Sequence, residues 1–405
     1  MGNLSKLSVE NNTIDRIPAV PEVLGQEAPT ESPGIAATAV SLELHCSGSL
    51  ERLPNIGNTC FLNATLQALY SIPSFCADIM GQEVLWSPTN TSLKLQRCFG
   101  ELYKARQGHS SYHSKSTLLR SVKSSVAVFN EEYEGDFQQD AHEFLMLFLM
   151  GMKMQGEMQQ GTSTPDYICP TQNFEFKLQS VRTCSSCGDK VFQEEGHNNL
   201  SLDLSSCLAD SLALYFKASE LECTCRQCLG PQATVARAFL TLPRVLVLHI
   251  MRFCHNGGQL RRVGDAVCIP PVLSLASLLE EQQDVLSSPG GREVSPQANP
   301  FPSTASVDQQ ESSGDRDRSQ QGAPVDRSVQ SCYRLSAVVS HLGRSIDCGH
   351  YVSDVIEGHN GEWVTLDDSR VTRTDEAAVL KRREDTAYLL FYVLSGAGEG
   401  DPAPL

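Results

Sequence analysis

The chain has 405 residues, a formal net charge of −16, 40% hydrophobic and 20% charged residues, enough to bury a large core or roughly two to three folding units. The acidic balance argues against nucleic acid as a partner and for a basic protein or peptide. No run reaches the ~18 apolar residues of a membrane helix and no signal segment opens the chain, so the expectation is a soluble monomer of the cytosol or nucleus. There the 15 cysteines are expected as reduced thiols or metal ligands, not as a disulfide framework.

Residues 1–49 are rich in Pro, Ser, Thr, Gly and Ala without a sustained period, and read as a disordered leader. Order begins near Leu50, and the stretch Leu53 to Tyr70 (LPNIGNTCFLNATLQALY) follows. Leu62, Leu66 and Leu69 fall at i, i+4 and i+7, the stripe of a buried helix, with Asn58 or Thr59 as its cap. Cys60 then sits at the helix N-terminus, where unpaired N–H groups and the macrodipole favour a thiolate nucleophile. Asn55 is placed to turn an amide donor toward a developing oxyanion. For Cys60 alone the competing reading is a buried structural thiol.

Further helices are expected at Leu93 to Lys104, Ser116 to Phe129 and Gln138 to Met150. Short strands follow from about Asp166 to Pro243, including Phe174 to Val181 and Lys190 to Phe192, with a helical piece near Ser206 to Phe216. Arg244 to Arg252 (RVLVLHIMR) has the continuous apolar character of a buried strand. Residues 279–328 break every period and read as a disordered insertion. Tyr333 to His341, His350 to Ile356, Glu362 to Leu366 and Ala387 to Leu394 read as strands, and 396–405 as a tail.

Cys184-x-x-Cys187 and Cys225-x-x-Cys228 have zinc-thiolate spacing, and a closed set of four thiolates makes one structural zinc per chain. A redox-active pair and a site that has lost its metal are the rival readings. Cys223 is an alternative ligand to Cys225.

A cysteine nucleophile needs a base and a residue that orients it. His350 opens one expected strand and Asp367 with Asp368 ends another, so the three meet if those strands are neighbours. Asn55-Ile56-Gly57-Asn58-Thr59-Cys60-Phe61-Leu62, Gln139-Asp140-Ala141-His142-Glu143-Phe144, Gly349-His350-Tyr351-Val352, Asp367-Asp368-Ser369 and Ala387-Tyr388-Leu389-Leu390-Phe391-Tyr392 resemble, in order, the boxes of the ubiquitin-specific proteases, the ubiquitin carboxyl-terminal hydrolase family. HNNLSLDL and GHYVSDV are most similar to the branch around ubiquitin carboxyl-terminal hydrolase 37. The first box departs from the family in reading Leu53-Pro54 where Gly and an apolar residue are usual.

The resemblance implies an α+β, papain-like fold: a helical thumb (50–163), fingers (164–243) whose strands would unite the two cysteine knuckles, and a palm (244–278 and 329–395). It implies hydrolysis of the bond after the C-terminal Gly of ubiquitin, with ubiquitin and ubiquitinated proteins as partners. Cys60 matches the nucleophile, His350 the base, Asp367 its orienting residue and Asn55 an oxyanion donor. Asp368 matches a position used by some members, and Asp140 and Glu143 match acids facing the basic ubiquitin tail. A ubiquitin-binding scaffold without turnover and a protease for a ubiquitin-like modifier are the alternative functions.

Overall fold

In a computed structural model of the chain, which describes residues 52–86, 91–108, 110–160, 167–256, 259–286, 292–293, 331–343, 349–357 and 361–395, the segment after Thr59 forms helix α1 (Cys60–Tyr70), buried along its whole length. The expected stripe understates it: a helix buried on every side lies inside the core. Its polar residues are accordingly paired. Thr65 donates to the Phe61 carbonyl and Gln67 accepts from the buried Arg106.

The other helices of this half are α2 (Pro73–Met80), α3 (Lys94–Gln107), α4 (Tyr112–Ala127) and α5 (Ala141–Gln160). Ser111 caps α4 by accepting from the Ser114 N–H. The last helix starts later than Gln138 because Asp140 caps it, accepting from the N–H groups of His142 and Glu143 at 2.8 and 2.9 Å. Among the described residues no helix is long and apolar enough to cross a membrane.

The chain continues through β1 (Phe176–Cys184), β2 (Lys190–His197), β3 (Leu200–Leu202), α6 (Leu208–Phe216), β4 (Ser219–Glu222) and β5 (Gln232–Phe239). Next come β6 (Val245–Ile250), β7 (Phe253–Asn256), β8 (Gln259–Arg262), β9 (Val272–Ser274), α7 (Ala276–Glu281), α8 (Gln283–Leu286) and β10 (Arg292–Glu293). It closes with β11 (Cys332–Gly343), β12 (Gly349–Glu357), β13 (Glu362–Asp367), β14 (Arg370–Thr374), α9 (Glu376–Arg383) and β15 (Ala387–Leu394).

One sheet of the described residues runs β10-β2-β1-β5-β4. The larger runs β14-β13-β12-β11-β15-β6-β3, with β9 on β11. Alternation along its central strands builds two cores. Val245 and Val247 of β6 join Ala337, Val339, Leu389 and Phe391 against the helices of the first half. Leu246 and Leu248 join Leu335, Val338, Leu390 and Tyr392 on the other face with α6. A strand buried on both faces therefore reads as one apolar run, as in VLVLHI.

Ordered structure enters the expected insertion at 279–328. Leu278 and Leu279 pack on the second core, and the buried Gln282 accepts the Phe239 N–H at 2.8 Å. The chain there is tied to β5 by a side chain whose polarity had suggested a loop. The leader, the tail and most of that insertion lie outside the described residues.

Candidate active site

The loop before α1 folds around Asn55. Its side-chain oxygen accepts from the N–H groups of Gly57 (3.0 Å) and Thr59 (3.3 Å), which leaves the amide nitrogen pointing the other way. Gly57 and Asn58 both have positive φ, 118° and 48°, and Asn is among the residues that tolerate this region. Thr59 occupies the cap position, but its hydroxyl is turned back to accept from the Ile56 N–H. No side chain caps the helix at Thr59, so its dipole meets Cys60 undiminished.

Strand β12 brings in His350. It packs on α1 and pairs antiparallel with β13, which ends at Asp367. The His350 Nε2 lies 2.5 Å from Asp367 Oδ1, and Cys60 is the strongest influence raising the same imidazole. The packing of β12 on α1 thus brings Cys60 to the side of the His350–Asp367 pair. Cys60 first, and after it the hydrogen bond to Asp367, push the imidazole up to about 9 against the opposing effect of burial.

Asp368, next in sequence, has φ of 46°. That left-handed turn swings its carboxylate off the β13 direction. Its two oxygens accept from Asn55 Nδ2 at 2.9 Å and from Asn63 Nδ2 at 2.8 Å. Polar atoms of His350, Asp367 and Asp368 lie within 4.8 Å of one another, a closeness these hydrogen bonds explain.

The two acids expected to face a substrate tail are differently placed. Asp140 is 7% exposed: one oxygen caps α5, and the other accepts from the hydroxyls of Tyr351 (3.2 Å) and Tyr388 (2.6 Å). Both oxygens of its carboxylate are thus hydrogen-bonded within the fold. Glu143 is exposed, and its carboxyl is raised by partial burial, then by Asp140 and Glu132. Sequence reasoning missed Gln138 and Asn63 at this site, since their partners Gly349 and Asp368 lie 211 and 305 positions away in sequence.

At the far end of β1 and across from β5, Cys184, Cys187, Cys225 and Cys228 gather with all four sulfurs within 4.8 Å. Sγ separations are 3.6 Å for Cys184 and Cys228 and 3.7 Å for Cys187 and Cys225. A tetrahedron with Zn–S bonds of ~2.3 Å has edges of ~3.8 Å, so the thiols fit that metal. N–H groups of Cys187 and Ser186 turned on the Cys184 sulfur pull its thiol below the usual value. Cys223 stands outside this group of sulfurs, and its N–H goes to the Pro231 carbonyl.

Comparison with known proteins places this geometry. A sequence profile described as ubiquitin carboxyl-terminal hydrolase matches residues 52–392. Ubiquitin carboxyl-terminal hydrolase 37 of Gallus gallus is 36% identical over 270 residues, covering 59% of this chain and 27% of the relative. Ubiquitin carboxyl-terminal hydrolase 29 of Homo sapiens is 30% identical over 309 residues, covering 69% of this chain and 33% of the relative. The chain thus spans about a quarter to a third of the length of these curated relatives. Structures of the SAGA DUB module of Ubp8, Sgf11, Sus1 and Sgf73, one bound to monoubiquitin and one to ubiquitin aldehyde, share the fold. Each has a TM-score of 0.65 at 23% identity, covering 86% of this chain and 70% of the other. The fold is therefore the α+β, papain-like one, and with a family profile running from the loop before Cys60 through β15, the chain belongs to the ubiquitin carboxyl-terminal hydrolase family.

Proposed function

We propose that the chain is a cysteine-type deubiquitinase that hydrolyses the bond after the C-terminal Gly of ubiquitin and releases ubiquitin from conjugated proteins. The observation that carries this is the hydrogen-bonded His350–Asp367 pair beside Cys60 at the N-terminus of α1. His350 holds the Cys60 proton, and the thiolate attacks the carbonyl carbon of the terminal Gly. Negative charge then grows on the carbonyl oxygen, where the Cys60 N–H and the Asn55 amide serve as donors. Collapse breaks the C–N bond as His350 gives its proton to the departing amine. Water, deprotonated by His350, next attacks the thioester; release of the carboxylate restores the thiol.

Glu143 is the exposed acid of this reading that meets the basic tail of ubiquitin, while Asp140 fixes the start of α5 behind it. Cys184, Cys187, Cys225 and Cys228 would hold one zinc whose role is structural, tying the turn after β1 to the turn before β5. A cytosolic or nuclear location, where thiols stay reduced, is part of this reading.

The test is turnover of a fluorogenic ubiquitin C-terminal amide, beside the same leaving group on a ubiquitin-like modifier. Turnover of the ubiquitin substrate that disappears in Cys60→Ala is expected. Binding of ubiquitin without turnover would instead make the chain a scaffold, and preference for the other modifier would change the substrate.

A further inference from the structure

The segment just before α5 touches both halves of the reaction centre. On one side the Asn58 side chain donates to the Asp136 carbonyl at 2.8 Å, two residues before Cys60. Lys123 of α4 anchors the same place, donating to the Gly135 carbonyl at 2.6 Å and to the Asp136 carboxylate at 3.2 Å. On the other side Gln138 reaches Gly349, the residue before His350. Its Nε2 donates to the Gly349 carbonyl at 2.9 Å, and its Oε1 accepts the Gly349 N–H at 3.3 Å.

A carboxamide carries the same donor and acceptor as a peptide group. Gln138 therefore pairs with both polar atoms of Gly349 as a neighbouring strand would, at the outer end of β12. Behind Gly349 stands His341, wholly buried on β11. A Cβ on residue 349 would lie 2.3 Å from His341 Nε2, so only glycine fits between the ring and the amide. Gly349 is thus fixed front and back, and the adjoining His350 inherits its position.

We propose that Gln138 is a positioning residue for the hydrolysis: its carboxamide, held by a segment already tied to the Cys60 loop, fixes Gly349 so that His350 stays between Cys60 and Asp367. This rests on the cysteine-hydrolase reading above. Gln138 does not touch the reacting atoms. It sets the distance between elements that come from opposite halves of the molecule, α1 and β12. Displacement of a reacting group by ~1 Å costs on the order of a hundredfold in rate, so a pair of hydrogen bonds next to the base carries more weight than their own stability would suggest.

The experiment compares wild type with Gln138→Met, which keeps length and removes both partners, and Gln138→Glu, which keeps an acceptor and removes the donor. Three readouts are taken: kcat and KM on the ubiquitin amide, the pH dependence of Cys60 alkylation by iodoacetamide, and the melting temperature. In Gln138→Met, kcat is expected to fall between about tenfold and about a hundredfold, with KM held within about twofold and melting unchanged. Half-maximal alkylation is expected at higher pH than in wild type, because the thiolate loses its imidazolium neighbour. Gln138→Glu is expected to show the same changes in kcat and alkylation, and it decides the matter should Gln138→Met not fold. An unchanged kcat and alkylation profile in the folded variants, or a change confined to KM, would overturn the proposal. If wild type fails to turn over the ubiquitin amide, the functional reading falls, while the alkylation profiles still report on Gln138.

Discussion

Asp368 Oδ2 accepts from Asn55 Nδ2 at 2.9 Å, joining residues 313 positions apart in sequence. The adjacent Asp367 serves His350 instead. Two successive carboxylates therefore orient two different partners, the oxyanion donor and the base. Asp368→Ala is expected to lower kcat on the order of a hundredfold, the scale of losing one oxyanion donor, with little effect on KM. Steady-state kinetics on the ubiquitin amide would show it.

The pH dependence separates the two acids. His350 is raised from an ordinary imidazole value of ~6.5 to about 9, first by Cys60 and then by Asp367. Its charged form therefore adds stability that is complete below pH ~6.5 and disappears as pH climbs through about 9. The proton for the leaving amine is lost over the same range. The expected kcat/KM profile declines on the alkaline side with a midpoint near 9. Asp367→Asn should move that midpoint to lower pH, and Asp368→Ala should leave it in place.

Legibility in the sequence followed how local the determinants were. Cys60 at a helix start, the two CxxC knuckles and the strand of β6 all depend on neighbours in sequence, and pattern alone placed them. That Asp367 and Asp368 divide their work depends on one left-handed residue, φ 46° at Asp368, which no spacing reveals. That Asp140 also accepts from Tyr388 could not be read from pattern, because the two lie 248 positions apart. Gln138 read as the first turn of a helix for a similar reason: its partner Gly349 is 211 positions distant.

A buried ion pair holds α9 beneath the catalytic strands. Arg383 Nε donates to Asp354 Oδ2 at 2.6 Å, with side chains 5% and 0% exposed, and Thr365 donates to the same carboxylate at 2.5 Å. Arg383→Met strands a buried charge and is expected to cost about 3–5 kcal/mol. The double change with Asp354→Leu should cost less than the single one. Urea unfolding of the variants measures both.

The thiol cluster predicts a metal count. Protein purified without chelator is expected to hold one zinc, which Cys225→Ser removes and Cys223→Ser leaves, since only Cys225 joins the other three sulfurs. Elemental analysis distinguishes these outcomes, and a zinc-free wild type would remove the metal from the account.

The account turns on one thiol reached by the tail of ubiquitin. Its most direct test is labelling of the purified chain with a ubiquitin C-terminal electrophile, followed by peptide mapping. The expected result is a single adduct on Cys60, absent from Cys60→Ala and much weaker with a probe built on a different modifier. An adduct on another residue, or none on folded protein that still binds ubiquitin, would contradict it.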